Sequence, residues 1–411
     1  MSAEPVSSVS DRAGSDVQGA LEAPLTRVME WAGASRCAVI LSGSHAAGEA
    51  VWAECGGRRV SLSDLDVYAV IGTAAERDAA EARARSARGG LSAWLIERGF
   101  AGPLEVAFHT PAQFERLPPR PGTLELRRHA RVIEGDPAFG ERVPAWRPAD
   151  IPAEEVNLLL ENRGQELLLA HPGVDADAPL DRLRSRHAVL KVALDLAAIA
   201  ALGVGEFPDG ARARVEWVRA RGGARMILPA APEWPGVALA ADPLERLWDE
   251  ALAWRSGVVG APDPERALAD WSATVAAWCA TWWARSSQGP DAAADEPFAR
   301  VCRFASRARP RRRAREALTF RARSGAPPSL WNRLRHAARG TPGHRVNGSA
   351  TVLLLSAALH GTATLAPAAA AALDRLGVAS PGARDWAAAR AEVTRRWDLW
   401  ILEGLRTGGM A

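Results

Sequence analysis

The sequence predicts an α+β protein, with an N-terminal mixed sheet flanked by helices followed by a large all-helical region. Three observations carry this. Short apolar runs ending in turn formers recur between residues 37 and 139, apolar residues at three and four spacing dominate from 151 onward, and twelve of the 16 tryptophans lie in that second part. Short apolar runs bounded by Gly, Pro or Ser read as strands, whereas a sustained 3.6-residue period reads as helix.

Residues 1–22 lack the apolar stretch of an export signal and are expected to form a flexible leader outside the fold. PLTRVMEWAGAS (24–35) has helical apolar spacing, and CAVILSGS (37–44) reads as a buried strand closing in a tight turn. SDLDVYAVIG (63–72) is a second strand whose alternate positions share one face, which puts Asp64 and Asp66 together. Residues 74–98 form one or two amphipathic helices, and PLEVAFHT (103–110) is a strand interrupted by Glu105. A helix over 123–130 and a strand over RVIEGDPAF (131–139) complete a unit spanning 23–150. Beyond it the pattern predicts a helical domain over 151–285, a linker over 286–297 and an Arg-rich helical region over 298–411. The recurring tryptophans are read as anchors between packed helices.

Composition excludes several classes. With 411 residues, 48% hydrophobic and 24% charged, the chain is neither disordered nor collagen-like, and no run of about 18 uncharged apolar residues offers a membrane span. Four cysteines without metal-ligand spacing suit a reducing cytoplasm. A net charge of +3 implies no polyanionic partner for the whole molecule. Lys191 is the single lysine among 51 basic residues, which marks it as a candidate for a role that Arg does not fill.

The residues that carry chemistry are Gly43 and Ser44 at the end of one strand, Asp64 and Asp66 on the next, and Glu105 on a third. Carboxylate oxygens select hard divalent cations such as Mg²⁺, so two acids on one strand face and a third on a neighbour make a metal platform. A Gly-Ser turn supplies backbone N–H groups and a hydroxyl for phosphate oxygens. Smaller candidates are His45, which follows the turn, His109, read as a strand-end residue rather than a base, and the pair Asn162–Arg163, read first as an exposed helix pair.

With LSGSHAAGE, LSDLDVYAV and LEVAF, the sequence resembles the polymerase-beta-like nucleotidyltransferase superfamily, in particular its small-molecule and antibiotic-modifying members. VIEGDPAF resembles the closing element of their sheet, and HAVLKVALDLAAIAALGVGEF a downstream helix carrying a lysine; the likeness spans residues 28–205. It departs in spacing, because 19 residues separate Ser44 from Asp64, and an inserted hairpin over AVWAECGGRR (50–59) accounts for the excess. The resemblance implies that Asp64, Asp66 and Glu105 bind Mg²⁺, with Glu105 as third ligand or general base. It implies that Gly43, Ser44 and Lys191 hold the triphosphate of an NTP, ATP being the first expectation, and that the acceptor is a small hydroxylated molecule. Two alternatives stand beside it: a protein or nucleic-acid acceptor docked by the Arg-rich segment, which has thirteen Arg between 300 and 339 against the single acid Glu316, and a noncatalytic nucleotide-binding regulator. Sparse aromatic interleaving in that segment disfavours nucleic acid.

Overall fold

In the computed structural model, which describes residues 9–87, 89–172, 178–228, 241–257, 264–286, 297–306, 342–377 and 385–406, the N-terminal part follows the predicted alternation of strand and helix. Its elements are α1 (Val9–Ala32), β1 (Arg36–Ser42), α2 (Gly43–Ala47), β2 (Trp52–Cys55), β3 (Arg58–Ser61), β4 (Leu65–Ile71), α3 (Ala74–Ser86), α4 (Leu91–Glu97), β5 (Leu104–His109), α5 (Pro111–Phe114), α6 (Pro121–His129) and β6 (Arg131–Gly135). The sheet has the order β5-β4-β1-β6. Strand β1 runs antiparallel to both β4 and β6, and β4 runs parallel to β5.

Side chains alternate across a strand, so the sheet has two apolar faces. Val39, Leu41, Leu65, Val67 and Ile71 point to one, where Leu25, Val28 and Trp31 of α1 and Leu95 of α4 cover them. Ala38, Ile40 and Val70 point to the other, against Phe114 of α5, Leu126 of α6 and Phe139 in a short 3-10 turn. Tyr68 packs beside this second cluster. Burying a Leu, Ile or Phe side chain contributes roughly 1.5–3 kcal/mol, so these two layers fix the sheet between its helices. The expected hairpin is present as β2 and β3, joined through Gly56 and Gly57.

Two N-terminal expectations change. The chain is already helical at Val9 rather than beginning its fold at residue 23, and Leu21, inside the stretch expected to be leader, is buried with Leu25 and Val28. Lacking an export signal does not prevent a polar stretch from being helical when its apolar residues recur at i, i+4 and i+7. The last strand ends at Gly135, and Pro137–Arg142 is a 3-10 turn capped by the Asp136 carboxylate, which accepts from Ala138 N–H. Proline lacks the N–H that a continued strand ladder needs.

The chain divides into two compact units, one within Met1–Arg147 and Trp254–Gly260, the other within Pro148–Ala253 and Ala261–Ala411. The second contains α7 (Ala153–Leu169), α8 (Pro179–Leu202), α9 (Gly210–Arg219), α10 (Ala224–Ile227), most of α11 (Ala241–Ser256), α12 (Pro264–Ser286), α13 (Pro297–Ser306), α14 (Pro342–His360), α15 (Pro367–Leu376) and α16 (Trp386–Arg406). The helical domain and the C-terminal region, expected as separate parts, therefore lie in one unit. Gln165 of α7 donates to Val346 O, Asn347 of α14 donates to Glu161, and Arg390 of α16 donates to Leu168 O. Polar groups so deeply buried need partners, and here each half supplies them to the other.

The tryptophans act as anchors. Trp248, Trp271, Trp278 and Trp386 are all buried, and each donates its indole N–H to a helix carbonyl, of Ala193, Leu167, Leu160 and Leu353 respectively. Most of the Arg-rich segment, residues 307–339, and all but the two end residues of the expected linker over 286–297 lie outside the described residues. Among the described residues no helix is long and apolar enough to cross a membrane.

Candidate functional site

Strand register brings the chemistry-bearing residues of the N-terminal unit into one row. Ser42 at the end of β1 pairs with Asp66 of β4, and Asp66 pairs with Glu105 of β5. Paired residues of neighbouring strands project to the same face, so the two carboxylates stand side by side. Asp66 is half-buried and Glu105 is exposed, while on the opposite face Leu65 and Val67 beside Asp66 are buried and Leu104 and Val106 beside Glu105 are partly buried. The apolar positions hold the strand in place and leave the acidic ones open.

Gly43 follows directly and turns the chain off the sheet with φ +66° into the short helix α2. A Cβ on Gly43 would lie 2.3 Å from Asp66 Oδ2. Both the left-handed backbone and the close approach of the carboxylate require glycine. The Gly-Ser turn and the central acid are thus in direct contact despite the hairpin inserted between them.

Asp64 lies one residue before β4 and two before Asp66, on the segment between the hairpin and the strand. That segment is tied to the loop before β5: Ala101 N–H donates to Ser61 O, and Leu65 N–H donates to Pro103 O. Gly102 fits so closely that a Cβ there would lie 2.3 Å from Ser63 O. Asp64 is therefore held from both sides by backbone contacts.

Among the described residues no three His, Cys, Asp or Glu side chains stand close enough to enclose an ion. The expected trio is thus a neighbouring pair, Asp66 and Glu105, with Asp64 one strand step away. This oxygen donor set fits Mg²⁺, which binds through one or two carboxylates plus phosphate oxygens and water rather than through an all-protein cage.

Two residues of the site carried no sequence signal strong enough to single them out. Tyr68, the single tyrosine, is two residues beyond Asp66 on the same face of β4. Burial pushes its hydroxyl up to about 12, with the charges of Asp66 and Glu105 adding to the effect and that of Arg120 opposing it. The phenol therefore stays protonated beside the acidic row. Arg120, at the N-cap of α6, brings a cation to the same place. Alternation along β4 was the available signal for Tyr68; Arg120 sits in a Pro-rich turn without periodicity.

His109 is buried and stacks on Tyr68 with ring centroids 5.8 Å apart. Burial, aided by the charge of Arg77, pushes it down to about 4, so it is neutral at pH 7 and belongs to the packing rather than to base chemistry. His45, the third residue of α2, is likewise pushed down to about 4 by burial, with the Ser63 backbone and the charge of Asp64 acting the other way.

No protein-family model matches the chain, and no curated protein matches its sequence.

Lys191 belongs to the helical unit. Its Nζ lies 3.4 Å from Glu166 Oε1, and Glu166 also pairs with Arg163, which bonds Asp195. Burial pushes the Asp195 carboxyl up, but Arg163 and Lys191 outweigh it and hold the group below the usual range. The ammonium is engaged in this ion network, and so is Arg163, expected to be an exposed helix residue. A guanidinium shared between two carboxylates explains its partial burial.

Proposed function

We propose that the protein is a Mg²⁺-dependent nucleotidyltransferase that moves a nucleoside monophosphate from an NTP, ATP first, to the hydroxyl of a small molecule, releasing pyrophosphate. The observation that supports this best is the seating of the Asp66 carboxylate on the bare backbone of Gly43, with Glu105 beside it in register. It joins a turn suited to phosphate oxygens to a carboxylate pair suited to a divalent ion.

In this reading Gly43 and Ser44 orient the triphosphate through backbone N–H groups and the serine hydroxyl. Asp66 and Glu105 would hold Mg²⁺, with Asp64 beside them on the same segment, and the ion when bound neutralises phosphate charge and lowers the pKa of the acceptor hydroxyl. Glu105, the exposed acid, is the ligand or the base that takes the hydroxyl proton. The acceptor oxygen forms a bond to the α-phosphorus as the bond to the bridging oxygen of the β-phosphate breaks, and the leaving pyrophosphate stays against the Gly43–Ser44 turn. Tyr68 and Arg120 flank the row, the phenol as a neutral hydrogen-bond donor and the guanidinium as a positive charge.

The test is incubation of the purified chain with each of the four labelled NTPs, Mg²⁺ and a small-molecule fraction of cell extract, followed by identification of the labelled product. Label transfer with pyrophosphate release, abolished in Asp66→Asn, supports the assignment. Full activity in Asp66→Asn overturns it.

A further inference from the structure

The hairpin that lengthens the interval between Ser44 and Asp64 packs against the turn through His45. His45, directly after Ser44, is 5% exposed and its Nε2 lies 3.1 Å from Ser61 Oγ at the end of β3. Ser61 is fully buried, and its hydroxyl donates to Ser63 O at 3.4 Å. That carbonyl belongs to the peptide that carries Asp64, and Gly102 is packed against it. The imidazole is wedged between Trp52 of β2 and Phe100, with centroids 6.0 and 5.8 Å away. Its Nδ1 is buried without a hydrogen-bond partner. An orphaned N–H costs more than an orphaned lone pair, which assigns the proton to Nε2, the nitrogen that then donates to Ser61 Oγ. A directed chain results, from His45 N–H to the Ser61 hydroxyl to the Ser63 carbonyl. Ser63 adds a second tie, because its own hydroxyl accepts from Val51 N–H at 2.9 Å at the entry to the hairpin.

We infer that His45 and Ser61 are positioning residues that lock the phosphate-binding turn to the peptide carrying Asp64, so that the inserted hairpin serves as the clamp between the two halves of the site. The inference rests on the nucleotidyltransferase reading for its consequence in catalysis, but its structural content stands apart from it. Hydrogen-bonded chains of this kind, fully buried, couple the segments they join.

The experiment uses the full chain with His45→Phe, which keeps the aromatic packing and removes the donor, Ser61→Ala, and the double variant. Amide hydrogen exchange is followed in residues 43–47 and 62–66. Loss of one buried hydrogen bond is expected to raise exchange in both segments by about tenfold in either single variant, and the double variant is expected to exchange no faster. Turnover is expected to fall about tenfold with the KM for NTP within about twofold, since displacement of Asp64 acts on the reacting geometry rather than on ground-state binding. His45→Gln, which retains an N–H donor, is expected to recover most of both losses, and it carries the test with Ser61→Ala if His45→Phe does not fold. Exchange that rises only in the segment containing the substitution, effects that add in the double variant, or turnover unchanged in active enzyme overturns the clamp. A wild-type chain that releases no pyrophosphate from any NTP overturns the transferase reading instead, and the exchange measurement then decides the clamp by itself.

Discussion

Replacing Gly43 by alanine tests the contact on which the site depends. The added methyl group meets two obstacles: a backbone at φ +66° and the Asp66 Oδ2 atom at 2.3 Å. Placing an L residue in the left-handed region costs roughly 1–2 kcal/mol. The carboxylate is the far end of a half-buried side chain, so it swings aside at about 0.5–1.5 kcal/mol rather than breaking the sheet. Gly48 supplies the control, because it closes the same helix at φ +72° with nothing within 4 Å of its added Cβ. Gly48→Ala bears only the backbone cost, and the two variants are expected to differ by about 1 kcal/mol in urea unfolding. Turnover should separate them far more: a carboxylate displaced by an ångström loses on the order of 10²-fold, whereas Gly48→Ala leaves the row in place. Pyrophosphate release measured on folded, stability-matched samples reads the difference. Equal turnover in the two variants would refute the reasoning.

Other consequences follow from burial and charge. Gly102→Ala puts a methyl group 2.3 Å from Ser63 O and 2.6 Å from its carbon, and since backbone cannot rotate away, this change is expected to destabilise by about 2–3 kcal/mol or more, read by urea titration. In the helical unit, Arg186 pairs with Asp270 at 2.7 Å and with Glu250 at 2.5 Å, the first two deeply buried and Glu250 partly so, and Arg186→Met is expected to cost about 3–5 kcal/mol by leaving the Asp270 carboxylate underpaired; a loss under about 1 kcal/mol would contradict this. Burial pushes the Asp270 carboxyl up, yet Arg246 and Arg186 outweigh it and hold the group low. Its contribution to stability is therefore complete above about pH 4 and disappears as the pH falls through its folded value, a dependence that Asp270→Asn should remove from acid-unfolding curves. Burial also holds His45, His109 and His171 down at about 4 each. The unfolded chain takes up these protons below about pH 6.5, so stability should fall between about pH 6.5 and 4, by up to about 1.4 kcal/mol per pH unit for each imidazole. Urea midpoints at pH 7.5, 6 and 5 that coincide would contradict the assignment, and His171→Phe should flatten the slope.

The sequence by itself determined the principal strands and the inserted hairpin, and it singled out the acids of the candidate site. Strand alternation and turn formers act over a few neighbouring residues, so CAVILSGS, SDLDVYAVIG and PLEVAFHT announced β1, β4 and β5, and Gly56–Gly57 announced the inserted hairpin. Only the tertiary structure decided the strand order, and with it that Ser42, Asp66 and Glu105 share one level of the sheet. It also decided that Asp66 rests on Gly43, that Tyr68 and Arg120 attend the acids, and that His45 reaches Ser61. The same holds for the helical region, where α7 and α14 complete each other's buried polar groups across some 180 residues of chain, the Gln165–Val346 separation being 181. Local periodicity says which face of an element is apolar; which element covers that face depends on contacts between residues far apart in the chain, and no short window of sequence contains them.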